Sequence, residues 1–344
     1  MIDNLSVTHY RGLKIANVED CRRINVFFGR NNCGKTTLLE AFFLLAGQSN
    51  PVLPFNVNAF RGYKTLHSES DVRINFYNLD TSTPIVISSS GTTDRKLTIT
   101  LLKSLSDTMD IQSIVDVNSR AVEKYFGLKL VFDGGKSSEL IVNDGESGHA
   151  KLNMADQYDE TIVAELLHPR MVVSENAARK LTKLIADKQK DRVLSVMQLI
   201  DKKVEDVIVA NDTIMVDVGA DHFLPIHVMG DGMVKILLNL LTIYECAGGI
   251  ALIDEVDNGL HYSMMEQMWN VMIKAAVEND VQLFVSTHSI DSIKGLNAVL
   301  EYGEYDRGCV SAYKLVKSMD DVQTALRYDA DTLNYMINQE IEIR

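Results

Sequence analysis

No stretch of this sequence combines the length and apolarity of a membrane span, and no basic segment followed by an apolar run stands at its start, so neither a spanning helix nor a secretory leader is expected. Cysteine is sparse: Cys21, Cys33, Cys246 and Cys309 are scattered without metal-ligand spacing, which excludes a zinc module and a disulfide framework. Cys33 lies inside a glycine loop where a bridge would be disruptive, and a reducing cytoplasm is the expected setting. Positive charge is also short. With 34 Lys and Arg against 47 Asp and Glu the formal charge is −13, which argues against a protein wrapped in nucleic acid by bulk electrostatics, although a local basic groove stays open. Repeats and low-complexity segments are absent. What remains is ordinary globular material: 344 residues, 46% hydrophobic and 24% charged, enough for one large domain or two lobes.

The informative stretch is Ile24 to Ala46. Ile24 to Phe28 is an apolar run that suits a buried strand, Gly29 to Thr36 fits GxxxxGK[ST], and an apolar helical pattern begins at Thr37. Strand, glycine loop and helix are the context a phosphate loop requires. Gly29 and Gly34 permit the backbone angles that turn amide groups inward, around Asn31, Asn32 and Cys33. Lys35 suits phosphate oxygens and Thr36 suits Mg²⁺, and the helix N-terminus, with Thr37 in its first turn, adds partial positive charge.

Before that stretch, Met1 to Val18 reads as a β-hairpin turning at Tyr10-Arg11-Gly12-Leu13. Arg11 there is either a solvated loop charge or a group near the nucleotide. After it, Gln48 to Lys64 reads as loop. Short runs at Val72–Tyr77, Ile85–Ser89, Leu97–Leu102, Leu128–Phe132 and Glu139–Val142 suggest an antiparallel sheet. From Asp159 to Lys203 the period turns helical, with two helices broken near Pro169. Their basic residues (Arg179, Lys180, Lys183, Lys188, Lys190, Arg192, Lys202, Lys203) form either a solvated face or a contact for nucleic acid or an acidic partner.

Val207 to Val228 reads as two or three strands leading to Gly230, Asp231 and Gly232, a glycine pair at the start of an apolar helix, which is a weak anion-site signal. Ile250 to Ile253 is an apolar strand ending in Asp254-Glu255. Adjacent carboxylates at a buried strand end are costly without work to do. Asp254 suits the Mg²⁺ shell and Glu255 the attacking water. One helix and one strand later stands His288, placed to reach a γ-phosphate. The remainder gives a helix to about Leu300, a strand around Cys309 to Val316 and a polar helical tail.

Taken together these residues resemble the ATP-binding-cassette ATPases of the structural-maintenance-of-chromosomes plan, and within it the ATPase part of the OLD (overcoming-lysogenization-defect) family and its stand-alone bacterial relatives. The resemblance rests on Tyr10 to Leu13, GRNNCGKTTLLEAF (Gly29 to Phe42), MGDGMVKIL (Met229 to Leu237) in the signature position, LIDEVDNGLHYSM (Leu252 to Met264) and STHS (Ser286 to Ser289). It implies an α/β head with a mixed sheet, an antiparallel β arm and a short helical insertion. The expected layout is a nucleotide lobe at 1–48, the β arm at 49–158, the helical insertion at 159–205 and a second lobe at 206–344. ATP and Mg²⁺ are implied as ligands, with Arg11 and Asn31 to Thr37 on the nucleotide, Thr36 and Asp254 on the metal, and Glu255 and His288 catalytic. Gly230, Asp231 and Gly232 would act in trans, in a homodimer or higher even oligomer.

Two departures stand out: Met229 occupies the place of the signature serine, and His261 that of the transporter D-loop aspartate. No glutamine fills the Q-loop position well, Gln48 and Gln157 being poor candidates. The segment after Lys294 is too short for the Toprim nuclease of OLD proteins, so a separate, nuclease-like effector is the expected partner. The resemblance implies the sensor or regulatory subunit of an anti-phage defence system. The rivals are a DNA-repair ATPase that clamps DNA directly and an assembly scaffold with negligible turnover. Nucleic acid is possible as a partner but not indicated by net charge, and a membrane is not expected.

Overall fold

The computed structural model describes residues 1–63, 66, 68–103, 125–143, 150–156, 158–170, 175–303 and 305–339. The chain begins with β1 (Ile2–Tyr10), β2 (Leu13–Val18), β3 (Ile24–Phe28), α1 (Lys35–Ala46), α2 (Leu53–Phe60), α3 (Glu69–Arg73) and β4 (Ile85–Gly91). It continues through β5 (Arg95–Leu102), β6 (Tyr125–Phe132), β7 (Lys136–Asn143), β8 (Ala150–Asn153), β9 (Ala164–Leu167), α4 (Glu175–Ala186) and α5 (Lys190–Ile200). Next come β10 (Asp206–Ala210), β11 (Thr213–Asp217), β12 (Leu224–Pro225), α6 (Asp231–Glu245), β13 (Ile250–Ile253), α7 (Met265–Glu278) and β14 (Gln282–Thr287). The last elements are α8 (Ile290–Tyr302), β15 (Val310–Lys317), β16 (Val322–Tyr328) and α9 (Ala330–Asn338).

These elements gather into two compact units. The first comprises Met1–Asp20, Thr36–Ile162 and Val316–Ala325. Its strands lie in the order β8-β7-β6-β5-β4-β1-β2, all antiparallel, and the start of β16 joins β2 in parallel. Period-two alternation fixes the register: Leu5 stands between Val18 and Ser89, and Val7 between Ala16 and Ile87, all buried, while Ser6, between Asn17 and Ser88, takes the other face. α1 is buried along Leu38, Leu39, Phe42 and Leu45, and its one carboxylate, Glu40, is buried too.

Three arginines hold that helix. Arg11 Nε lies 3.1 Å from Glu40, Arg61 pairs with the same carboxylate through Nε at 2.7 Å and Nη2 at 3.0 Å, and buried Arg95 donates to the terminal carbonyls of Leu45 (3.2 Å) and Ala46 (3.0 Å). Arg95 in turn pairs with Glu160 at 2.6 Å. A cation on the last carbonyls satisfies acceptors that have no partner within the helix.

The second unit comprises Cys21–Lys35, Val163–Leu315 and Leu326–Arg344. Its strands run β15-β3-β14-β13-β9, all parallel, and β3, β13 and β14 are buried throughout, which explains their uninterrupted apolar sequence. Helices α4 to α9 and the strands share a core that includes Trp269, whose indole N–H donates to the Ser292 carbonyl at 2.8 Å. β10, β11 and β12 form a separate antiparallel sheet. Among the described residues no helix is long and apolar enough to cross a membrane.

Four readings of the sequence are corrected. The stretch read as loop from Gln48 to Lys64 carries α2, opened by Pro54, a residue suited to a first turn. Val72 to Tyr77, read as a strand, begins inside α3, which holds Val72 and Arg73: Ser68 and Asp71 form a capping box, and Arg73 pairs with Glu69 one turn back at 2.7 Å. The helical reading from Asp159 is interrupted by β9, which owes its state to the parallel ladder with β13 and not to its own composition. Both helices lie beyond Pro169 and part near Asp187–Gln189. The tail read as helical contains β16 ahead of α9.

Candidate nucleotide site

β3 ends at Phe28 and the chain turns at once into the glycine loop. Gly29 has φ +142° and Gly34 φ +92°, and Asn32 between them also takes the left-handed region at +62°. A Cβ at Gly29 would stand 2.7 Å from the Leu315 carbonyl oxygen and 3.3 Å from Cys33 Sγ, so the first motif glycine is required by space as well as by angle. Lys35 opens α1. Its buried ammonium donates to the Gly29 and Arg30 carbonyls at 2.8 and 3.0 Å and lies 3.8 Å from Cys33 Sγ. Asn31 and Asn32 are exposed at the loop tip, Thr36 is half-buried and Thr37 buried in the first turn of α1.

Parallel register sets the rest. β14 lies between β3 and β13, with Thr287 beside Phe28 and Val285 beside both Val26 and Ile253. The glycine loop, His288 and Asp254-Glu255 therefore all leave the carboxyl ends of adjacent strands, the edge where open parallel sheets bind ligands. Asp254 is buried and accepts a hydrogen bond from the Ser286 hydroxyl, and its own N–H donates to Leu167 O at 2.9 Å. The Ser286 oxygen also accepts from the Glu255 N–H at 2.9 Å, and the Ser286 carbonyl accepts from Val256 N–H at 3.0 Å. Glu255 is held at φ +48°, a strained conformation for a side chain of its size. His288 is exposed just past β14, and Ser289 caps α8 through the N–H groups of Asp291 and Ser292.

Asp257 is buried as well, with Oδ1 unpartnered among the described residues. Lys235, one turn into α6, has its ammonium pushed below the usual lysine range by burial, a shift opposed by the charges of Asp254, Asp257 and Glu255. Gly230 caps α6, and Asp231 and Gly232 form its first turn. That turn packs on the segment after the carboxylates: a Cβ at Gly232 would come 3.2 Å from Leu260 Cδ2, and one at Gly259 3.5 Å from Asp231 Cβ. His261 is exposed and shares a hydrogen bond of 2.9 Å with Ser263 Oγ.

Some sequence readings land elsewhere. Arg11 is no solvated loop charge: besides Glu40 it bonds Tyr10 Oη at 3.0 Å and Asn58 Oδ1 at 2.7 Å. Burial pushes the Tyr10 hydroxyl up to about 12. Gln48 is buried and donates to Tyr158 Oη at 2.9 Å and to Asp133, and Gln157 lies outside the described residues. Ser286, which stands inside the STHS stretch but was assigned no role there, acquires one through register, and Arg61, which no motif marked, reaches Thr37 Oγ1 (3.3 Å) only because α2 exists. In the tail, Asp321 accepts from Tyr77 Oη (2.7 Å) and pairs with Lys317 (2.8 Å), Asp329 caps α9, and Asp331 pairs with Arg307 (3.0 Å).

A glycine loop and lysine after one parallel strand, with an Asp-Glu pair two strands away, are the arrangement of a P-loop ATPase. The chain belongs to the family described as "AAA domain, putative AbiEii toxin, Type IV TA system", whose model matches residues 24–293. It is similar to an ATP/GTP phosphatase of Helicobacter pylori (strain ATCC 700392 / 26695), with 25% identity over 376 aligned positions that cover 99% of each chain. A stretch of 45 residues, 13% of this chain and 12% of the other, is 47% identical to the DNA replication and repair protein RecF of Streptococcus agalactiae. Among solved structures, the Smc head domain with an extended coiled coil from Pyrococcus furiosus, bound to the C-terminal domain of ScpA, aligns at TM-score 0.51 and 9% identity. The alignment covers 98% of this chain and 99% of that one, and the likeness is one of fold.

Proposed function

We propose that this chain binds and hydrolyses ATP with Mg²⁺ and acts as the sensor or regulatory subunit of an anti-phage defence system whose effector is a separate protein. The observation that carries the catalytic half is the convergence of Lys35, Asp254, Glu255 and His288 on the carboxyl ends of adjacent parallel strands, with Ser286 tying the first carboxylate to the backbone of the second. The defence half is supported by the family description and by the resemblance of the motifs to OLD-type ATPases.

In this reading the amides of Asn31 to Thr37 cradle the phosphates, and Lys35 exchanges the Gly29 and Arg30 carbonyls for β- and γ-phosphate oxygens. Thr36 and Asp254 would hold Mg²⁺. A hydroxyl and one buried carboxylate are the sparse protein donor set this ion uses beside phosphate and water. When bound, the ion neutralises charge developing on the transferred phosphoryl group. Glu255 orients or deprotonates the attacking water, and His288 meets the γ-phosphate. Gly230, Asp231 and Gly232 of the partner subunit close over the nucleotide, and hydrolysis releases the pair. The chain itself cuts no nucleic acid.

The test is nucleotide binding and turnover by Lys35→Ala. Removing the ammonium leaves phosphate charge without its cation, so binding weakens by at least about 100-fold and hydrolysis disappears. A Lys35→Ala protein that binds Mg-ATP like the wild type would contradict the assignment.

A further inference from the structure

The basic residues of α4 and α5 divide sharply in the fold. Lys180 pairs with Glu165, Lys183 with Glu245 at 3.7 Å and Lys190 with Asp206 at 2.7 Å. Arg192 makes no ion pair among the described residues. On α7, Lys274 pairs with Glu278 one turn along its own helix, at 3.9 Å. Both cations line one groove of about 430 Å³ within the second unit, apart from the strand ends that carry the nucleotide motifs.

Helices form the walls of the groove. α5 and α7 both pack on α6, and Tyr244, near the end of α6, is among its lining residues. From α5 it takes Arg192, Val196 and Leu199, and from α7 Val271, Lys274 and Glu278, so both walls repeat at helical spacing. Val196 and Val271 are buried, whereas Leu199, a large apolar side chain, is 54% exposed. Burial pushes the Tyr244 hydroxyl above its usual range, with Arg192 and Glu278 as the charges that act on it from either wall.

Two helices flanking a third leave room for a fourth along the trough, and an i, i+3, i+4, i+7 apolar stripe is the shape that fills such a trough. Two cations, Arg192 and Lys274, against one carboxylate, Glu278, leave its lining net positive. Nucleic acid fits poorly: the groove offers two cations and a carboxylate, where a phosphate backbone calls for a run of positive charge.

We propose that this groove docks an acidic amphipathic helix of a separate protein, its apolar stripe on Val196, Leu199 and Val271 and its carboxylates on Arg192 and Lys274. The proposal rests on the reading that a second protein works with this ATPase, and it states the chemistry by which that protein is recognised.

The test is fluorescence anisotropy of the full chain with synthetic helical peptides of about 18 residues, long enough to hold helix when stapled. One carries a leucine stripe flanked by glutamates, one the same residues scrambled and one lysines for the glutamates, and a single-stranded DNA oligonucleotide is the fourth probe. The acidic striped peptide is expected to bind saturably. Arg192→Glu combined with Lys274→Glu should weaken it by about tenfold or more and transfer preference to the lysine peptide. Leu199→Asp should weaken both, and ATP hydrolysis should be unchanged in every variant. Equal binding of the scrambled peptide overturns the proposal, as does the absence of saturable binding, or DNA binding that the charge reversal removes. Turnover on the same samples separates the two readings: peptide binding without any wild-type turnover would sink the ATPase assignment and leave the groove standing.

Discussion

Ser286 shows how much of the site depends on a residue that carries no chemistry of its own. Its hydroxyl donates to Asp254 while its oxygen receives the Glu255 N–H, so one side chain ties the Asp254 carboxylate to the backbone that carries Glu255. Positioning of this kind is worth about 10- to 100-fold when a supporting group is lost. Ser286→Ala should therefore lower kcat by that order with KM for ATP little changed, because the phosphate loop is untouched. An equal rise in KM would show that the serine supports nucleotide binding instead. At this scale the sequence was readable where chemistry and spacing coincide, as at Gly29, Gly34, Lys35 and the Asp254-Glu255 pair. It was not readable where a partner is set by strand register, as for Ser286. Nor was it readable where a local surface reading seemed sufficient, as for Arg11, whose guanidinium is taken up by a carboxylate 29 positions along the chain.

Among the elements, α1 is the one on which the first unit is built. Its buried Glu40 sits against Arg11 and Arg61, and its last carbonyls against Arg95. Breaking a buried ionic cluster by removing one member costs about 3–5 kcal/mol, since the charges left behind stay desolvated. Glu40→Gln should lower stability by that order, with two guanidiniums uncompensated, and chemical denaturation reads it directly. A shift under about 1 kcal/mol would mean that water reaches the arginines and that α1 is held by packing alone.

The strands of the β arm were legible because half-buried antiparallel strands alternate. β9 was not, being a four-residue strand whose state is imposed by its neighbour β13. α3 shows the converse: Val72, Ile74 and Phe76 alternate like a strand, yet the Ser68–Asp71 cap and the Glu69–Arg73 pair commit Glu69 to Arg73, Val72 included, to helix.

For the whole molecule, the proposed cycle requires that nucleotide be enclosed by two copies. Without hydrolysis the closed state should persist, so Glu255→Gln with Mg-ATP should sediment as a dimer that reverts when nucleotide is removed. A mass unaffected by ATP would place any self-association outside the nucleotide site.

The measurement closest to the central claim compares ATP binding and ATP turnover in that same Glu255→Gln protein. Glu255 is held at an unfavourable φ beside a carboxylate that Ser286 fixes, an arrangement that makes sense if its side chain must address one water molecule. General-base groups contribute about 10²- to 10⁴-fold. The account predicts ATP affinity within a few-fold of the wild type and a loss of turnover in that range. Wild-type turnover in Glu255→Gln would contradict it.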